Sequence, residues 1–403
     1  MSTPLTHPAD GLPELAATPE ELADAARRIA AGRGPVALDT ERASGFRYDD
    51  RAFLLQIRRR GTGTLLIDPE PHRELIGEIL APALNERDWV LHAAPSDLPS
   101  LAWLGLYPGR LFDTELAGRL AGLDHVNLAS MIEEFLDRSL AKGHGAEDWS
   151  TRPLPADWLN YAALDVELLL ELAEAVTEVL DGQGKLAWAE EEFEYIRATH
   201  ADIAAPLEPQ WRDTKGVGTL TTPEQLVVAR ELWLERDSIA AAEDLAVSRL
   251  LPNRVLVEIA RTVPRTMREL SAIRGFPARR PGATKWWFEV IRRARKSPRK
   301  TWPVRIRSPR GIPARKIWAS DHPESFASFS RVREDVDGLG RDLGIPPENL
   351  LRPAVLRQVV WDATAGSQLH SPDDVVAAMR HHESRDWQIE LISPLICGEL
   401  FGR

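Results

Sequence analysis

The sequence predicts an α/β domain built on a mixed sheet, followed by all-α helical units. Three observations carry that expectation. Through residues 1–200, short β-rich runs alternate with helical periodicity. Beyond them the apolar spacing is helical, broken by two stretches rich in proline and charge. The 403-residue length also exceeds what one hydrophobic core usually serves, so two or three domains are expected.

The elements follow in order. PVALDT (35–40), AFLLQIRR (52–59) and TLLID (64–68) read as strands, and their short polar connections suit an antiparallel meander. DWVLHA (88–93) reads as a fourth strand, SDLPSLAWLGL as a helix, and GRLF (109–112) as a short fifth strand. Helices are expected over 113–122, 127–138, 155–180 and 185–200, and the order of three strands, helix, strand, helix, strand and further helices reads as a mixed α/β sheet. PLEPQWRDTKGVGTL (206–220) reads as a linker. Helical spacing resumes at 223–240 and in NRVLVEIAR, TMRELSAI and TKWWFEVIRRAR, with Thr266 and Thr284 as N-caps and Gly275 as a stop. A second linker, 296–316, is rich in proline and arginine, and the rest is helical with turns at GIPPEN and LHSPDD. The expected domains are therefore 1–205, 219–299 and 315–403, the last two being possible distant copies of one unit.

Apolar residues at 43% and charged ones at 28% describe a globular chain. No apolar run approaches the ~20 residues of a membrane span, and MSTPLTHPADGLPEL lacks the order of a signal peptide. A single cysteine, Cys397, excludes an internal disulfide and a cysteine-based zinc site, so a reducing cytoplasm is the expected location. The net charge of −11 is unevenly spread: residues 206–320 hold 24 Lys/Arg against 11 Asp/Glu, or +13, leaving −24 elsewhere. A basic helical block beside an acidic unit suits a polyanion-holding module, although solvated basic helices would look the same.

Asp-Thr-Glu occurs twice, at Asp39–Glu41 and Asp113–Glu115. In VALDTE (36–41) a strand would put Asp39 and Glu41 on one face about 7 Å apart. Like charges at ~4 Å and an effective dielectric of ~20 repel by about 4 kcal/mol, and a divalent cation is the usual remedy. Asp113 instead precedes LAGRLAGL, whose helical leucine spacing makes it an N-cap with Glu115 in the first turn. A lone D-x-E is weak, since Asp165–Glu167 is another. Two further pieces strengthen the first copy: Asp97 opens the helix after the fourth strand, and WLNYAALDVELLLEL puts Tyr161 and Asp165 on one helix face.

With DTE, HAAPSDL and YAALD in this order, and DWSTRPLP (148–155) ahead of the third, the chain resembles the tyrosine branch of the DEDD exonucleases, and within it the ribonuclease D family. The resemblance covers roughly residues 30–200, with 220–296 similar to the HRDC helical domain. It implies a ribonuclease H-like mixed sheet followed by HRDC-type helical domains. It also implies a 3′→5′ exoribonuclease that releases nucleoside 5′-monophosphates from RNA 3′ ends, tRNA precursors among them. Two divalent ions, Mg²⁺ or Mn²⁺, would be held by Asp39, Glu41, Asp97 and Asp165, with Tyr161 orienting the attacking water. A competing histidine-branch pattern, His92–Asp97, would need Asp49, Asp68 or Asp88 as a further acid and would leave Tyr161 and Asp165 idle.

Lys142 looks like a lysine the family carries before its third motif; it would touch a phosphate or simply be solvated. Arg274, Arg279, Arg280, Arg292, Arg293 and Arg295 are the expected RNA contacts of the basic unit, with Trp286 and Trp287 as stacking groups or helix core. Phe46 and Tyr48 would stack on a base or pack within a hairpin. His144 reads as a surface residue. The alternatives are a DNA exonuclease and a non-catalytic binding protein; a helicase is unsupported, since no G-x4-G-K-[ST] is present. The oligomeric state is not legible.

Overall fold

The computed structural model describes residues 2–140, 143–201, 210–305 and 311–402. The chain opens with β1 (Thr3–Leu5), β2 (Leu15–Ala16) and α1 (Pro19–Ala31), whose start is fixed by a capping box of Thr18 and Glu21. The meander follows as β3 (Arg33–Arg42), β4 (Ala52–Arg60) and β5 (Gly63–Ile67), and α2 (Arg73–Leu84) leads to β6 (Asp88–Leu91). Next come α3 (Leu98–Ala102), β7 (Arg110–Asp113), α4 (Thr114–Ala121), α5 (Leu128–Leu136) and β8 (Arg138–Leu140). Helices α6 (Ala156–Glu167), α7 (Leu169–Gly182) and α8 (Leu186–His200) complete the unit.

The main sheet has six strands in the order β2-β5-β4-β3-β6-β7, while β1 and β8 pair apart from it. β3, β4 and β5 run antiparallel as expected, and β6 joins β3 in parallel. Several elements of this domain were not anticipated, α1 among them. β1, β2 and β8 are two or three residues long, too short for a periodic signal. The helix expected over 127–138 stops at Leu136, because Asp137 turns left-handed at φ 52° and releases Arg138 into β8. The helix expected over 155–180 divides at Leu168 into α6 and α7.

The basic unit comprises α9 (Pro223–Glu243), α10 (Val247–Leu250), α11 (Asn253–Thr262), α12 (Met267–Ser271) and α13 (Ala283–Lys296), around its own core. Thr266 caps α12 as expected, but α13 is led by Gly282 in a left-handed conformation, and Thr284 lies inside its first turn. Within the expected linker at 206–220, Trp211–Asp213 and Val217–Thr219 form 3-10 turns that bury Val217 and Leu220 in this core.

The C-terminal helices are α14 (Arg315–Asp321), α15 (Pro323–Leu343), α16 (Pro347–Leu350), α17 (Pro353–Ala363), α18 (Pro372–His381) and α19 (Asp386–Phe401). Their core is continuous with that of the sheet domain. Trp387 stacks on Trp188 with ring centroids 5.2 Å apart and donates its indole N–H to Glu192 at 3.0 Å. Glu192 also accepts both arms of Arg385 at 2.6 and 2.9 Å. Lys185 donates to the carbonyls of Leu120 and Leu343, tying the ends of α4 and α15 together. No helix among the described residues is long and apolar enough to cross a membrane.

A shared core implies shared unfolding. Trp387→Ala is expected to remove roughly 3–5 kcal/mol from a single urea transition of the sheet domain and C-terminal helices, leaving the transition of the α9–α13 unit in place. Separate transitions for the sheet domain and the C-terminal helices would contradict this.

Candidate active site

The site is built on the end of β3. Alternation along that strand sends Val36 and Leu38 into the main core and Asp39 and Glu41 to the opposite face. α6 packs across that face, and its Ala162 and Ala163, buried beside Leu54 and Leu66, let the helix lie close to the strands. Its approach is guided by the preceding segment, where Arg152 grips Asp68 with two bonds of 2.6 and 2.7 Å and the carbonyl of Phe53 at 2.8 Å. Asp165 is thereby carried to Asp39 and Glu41: one carboxylate oxygen from each lies within 4.8 Å of the others.

Such a cluster is costly without a counter-charge. Burial raises Asp39 well above the ordinary carboxylate range, with further increments from Asp97, Asp165 and Glu41. Burial, then Asp165 and Asp97, lifts Glu41 to about 9. Asp165 is raised to about 7 by burial, against a hydrogen bond from Tyr161 that lowers it. Hard oxygen donors packed this closely, with no sulfur among them, fit Mg²⁺ or Mn²⁺.

Asp97 stands just outside that trio. It occupies the N-cap position of α3 without capping it; its side chain turns back to accept the Thr40 hydroxyl at 2.6 Å. The middle letter of Asp-Thr-Glu thus holds the fourth acid. Burial raises Asp97 to about 6, while Arg42 and Thr40 pull it down. Arg42 follows an irregularity in the β3–β4 register, bonds the Ser96 carbonyl and sits 4.0 Å from Asp97. Neither Thr40 nor Arg42 was singled out from sequence, because their partners lie more than fifty residues away.

The second Asp-Thr-Glu has the capping role its context implied. Asp113 accepts from Glu115 and Leu116 N–H, and it also accepts from Ala93 and Ala94 at 3.1 and 3.0 Å. It therefore pins the left-handed turn at Ala93 that delivers Asp97. His92 points away to Thr114, and burial depresses it to about 4, so it stays neutral. Asp49, Asp68 and Asp88 are each paired, with Arg51, Arg152 and Arg110.

Tyr161 lies one turn before Asp165, and its hydroxyl pulls the pKa of that carboxylate down. Burial first, and then Asp165, Glu41 and Asp39, push its phenol above its ordinary value. Gly143 rests on the ring: a Cβ there would fall 2.1 Å from Tyr161 Cδ2, so only glycine fits. His144 is not a free surface residue but half-buried, edge-on to Tyr161 with centroids 5.9 Å apart. Lys142 lies outside the described residues.

The loop after Arg42 docks on the basic unit. Arg51 forms a two-bond pair with Asp244 at 2.7 and 3.1 Å, Tyr48 donates to Asp237, and Arg249 covers the Phe46 ring at 4.2 Å. Phe46 packs on the hairpin cluster of Ala43, Phe53 and Leu54, as one of the two sequence readings has it, and both Phe46 and Tyr48 also serve a contact between units. Of the six arginines, Arg280, Arg292, Arg293 and Arg295 pair with Glu243, Glu289, Glu235 and Glu224. Arg274 and Arg279 are exposed without an acidic partner among the described residues. Trp287 is core, whereas Trp286 is 53% exposed.

Comparison with known proteins matches residues 13–181 to a 3′-5′ exonuclease model, 225–280 to an HRDC domain, and 311–400 to a 3′ to 5′ exonuclease C-terminal domain. Ribonuclease D of Xanthomonas oryzae is 31% identical over 63% of this chain and 69% of its own. A solved protein from Bifidobacterium adolescentis superposes over all of both chains with a TM-score of 0.87 and 32% identity. The fold is also that of Escherichia coli RNase D, at a TM-score of 0.67 and 23% identity over 97% of this chain and 99% of that one.

The raised carboxylates fix a pH dependence. Asp97, Asp165 and Glu41 titrate at about 6, 7 and 9 in the folded protein, against roughly 4 unfolded. The native state therefore holds more protons than the unfolded one across that window, and these acids cost stability as pH rises. With EDTA, the thermal midpoint is expected to fall between about pH 5 and pH 8, with Mn²⁺ restoring more at the upper end. A midpoint that rises across that range, or a Mn²⁺ gain independent of pH, would contradict a strained cation site.

Proposed function

Since the chain belongs to the ribonuclease D family and is a 3′→5′ exoribonuclease, we propose that Asp39, Glu41, Asp97, Asp165 and Tyr161 form its hydrolytic centre. The convergence of Asp39, Glu41 and Asp165 within 4.8 Å carries this reading. Two divalent ions, Mg²⁺ or Mn²⁺, would supply charge stabilisation at the scissile phosphate and a nucleophilic water at neutral pH. As the family resemblance implies, Asp39 would be shared between them, Glu41 and Asp165 would hold the one nearer the water, and Asp97 would hold the other directly or through water.

Tyr161 remains protonated at neutral pH, so its hydroxyl orients the water rather than taking its proton. Gly143 and His144 keep that ring in place. Water attacks phosphorus in line with the departing 3′ oxygen of the shortened strand, which leaves with a proton and frees a nucleoside 5′-monophosphate. The division into an exonuclease domain (1–205), an HRDC domain (219–299) and a supporting C-terminal unit (315–403) completes the proposal.

RNA strands, tRNA precursors among them, would run from the site toward the docked HRDC unit. Arg274, Arg279 and the exposed Trp286 are free to meet phosphate and base there, with Arg280 beside them. Arg292, Arg293 and Arg295 would have to exchange carboxylate for phosphate, and Lys142 would contact the strand near the third motif.

The test uses 5′-labelled RNA with Mg²⁺, Mn²⁺ or EDTA. A ladder shortening from the 3′ end is expected, lost in EDTA and reduced at least about 100-fold in Asp39→Ala and Asp165→Asn. Internal cuts, or full activity in both variants, would overturn the assignment. DNA of the same sequence should be degraded more slowly, because it lacks the 2′-hydroxyl; equal rates would favour a general exonuclease.

A further inference from the structure

Gln56 is wholly buried, at 0% exposure, yet neither atom of its carboxamide has a hydrogen-bond partner. Folded proteins satisfy nearly all such groups, so a doubly orphaned amide in the middle of a sheet needs a reason. Its register supplies one. Gln56 stands directly across the antiparallel β3–β4 pair from Asp39, and residues so placed share a face with Cβ atoms about 4.5–5.5 Å apart.

Its other neighbours offer little. Leu66 flanks it on β5, and Ala162 and Ala163 of α6 close the layer together with Leu54. Arg58, two positions along the same face, is engaged by Thr64 and Glu167 at 2.8 Å each. The Asp39 carboxylate is the polar side chain opposite it.

We propose that Gln56 is a positioning residue for the metal-binding carboxylate: when cations draw the acids together, its unpartnered Nε2–H becomes the donor to the Asp39 oxygen and fixes the rotamer in which Asp39 joins Glu41 and Asp165. This rests on the metal-dependent reading above. Gln56 is too deeply buried to touch RNA, so its influence reaches the reaction only through Asp39. An outer partner of a ligating carboxylate orients it at the cost of one amide, and losing that partner typically weakens the site about 10–100-fold.

The test compares the full chain with Gln56→Leu, Gln56→Met and Gln56→Asn. Mn²⁺ affinity is measured by calorimetry without RNA, kcat and KM on RNA, and thermal midpoint in EDTA. The two apolar variants are expected to keep or raise the midpoint, because an unsatisfied amide has gone. They should bind Mn²⁺ about 10–100-fold more weakly and lose kcat by a similar factor at unchanged KM, with Gln56→Asn, one methylene short, also impaired. Wild-type Mn²⁺ affinity in a folded apolar variant would overturn the inference. So would unfolding of both apolar variants, which would make Gln56 a structural residue. A wild-type chain that binds no Mn²⁺ and degrades RNA regardless would instead overturn the metal-dependent reading itself.

Discussion

Mutual repulsion among buried carboxylates is the constraint around which the sheet domain is organised. Asp39, Glu41 and Asp165 would separate if their backbones could move, and burial alone raises each of them more than any neighbour does. They are held by elements that cannot easily yield. β3 is flanked on both sides by strands, and α6 is seated on alanines. The segment ahead of α6 is fixed through Arg152 and Asp68. The energy of a well-packed core thus maintains a geometry that electrostatics opposes, leaving a place where a small, doubly charged cation is strongly favoured.

The same constraint explains how the outer units attach. The C-terminal helices complete the main core, anchored where Arg385 and Trp387 at the start of α19 grip Glu192 of α8. The HRDC unit keeps a separate core and touches the sheet domain through the loop that leaves Arg42. One attachment is deep and apolar, as support requires. The other is polar and sits beside the site, so a shift of the HRDC unit would be felt first by the residues that follow Glu41.

Much of this was legible in the letters, and the reasons are local. Two-residue alternation already placed Asp39 and Glu41 on one face, and i,i+4 spacing placed Tyr161 and Asp165 on another. Helical leucines after Asp113 identified the second Asp-Thr-Glu as a cap. Long-range chemistry was not legible. Thr40 holding Asp97, Asp113 reaching back to Ala93 and Ala94, and Gly143 lying on Tyr161 each join residues far apart in sequence. Phe46 could be read as hairpin packing or a base platform, but nothing local shows that Arg249 covers its ring. Short strands such as β8 and the 3-10 turns near Val217 escape any periodicity, and Thr284 misled because the left-handed Gly282 begins α13 two residues earlier.

The most direct measurement is an anomalous difference map from crystals of the chain grown with Mn²⁺. Manganese peaks are expected between Asp39, Glu41 and Asp165, at coordination distance from oxygens of all three. Well-ordered carboxylates with no peak among them at saturating Mn²⁺, or manganese bound only at other places, would contradict a cation-holding centre.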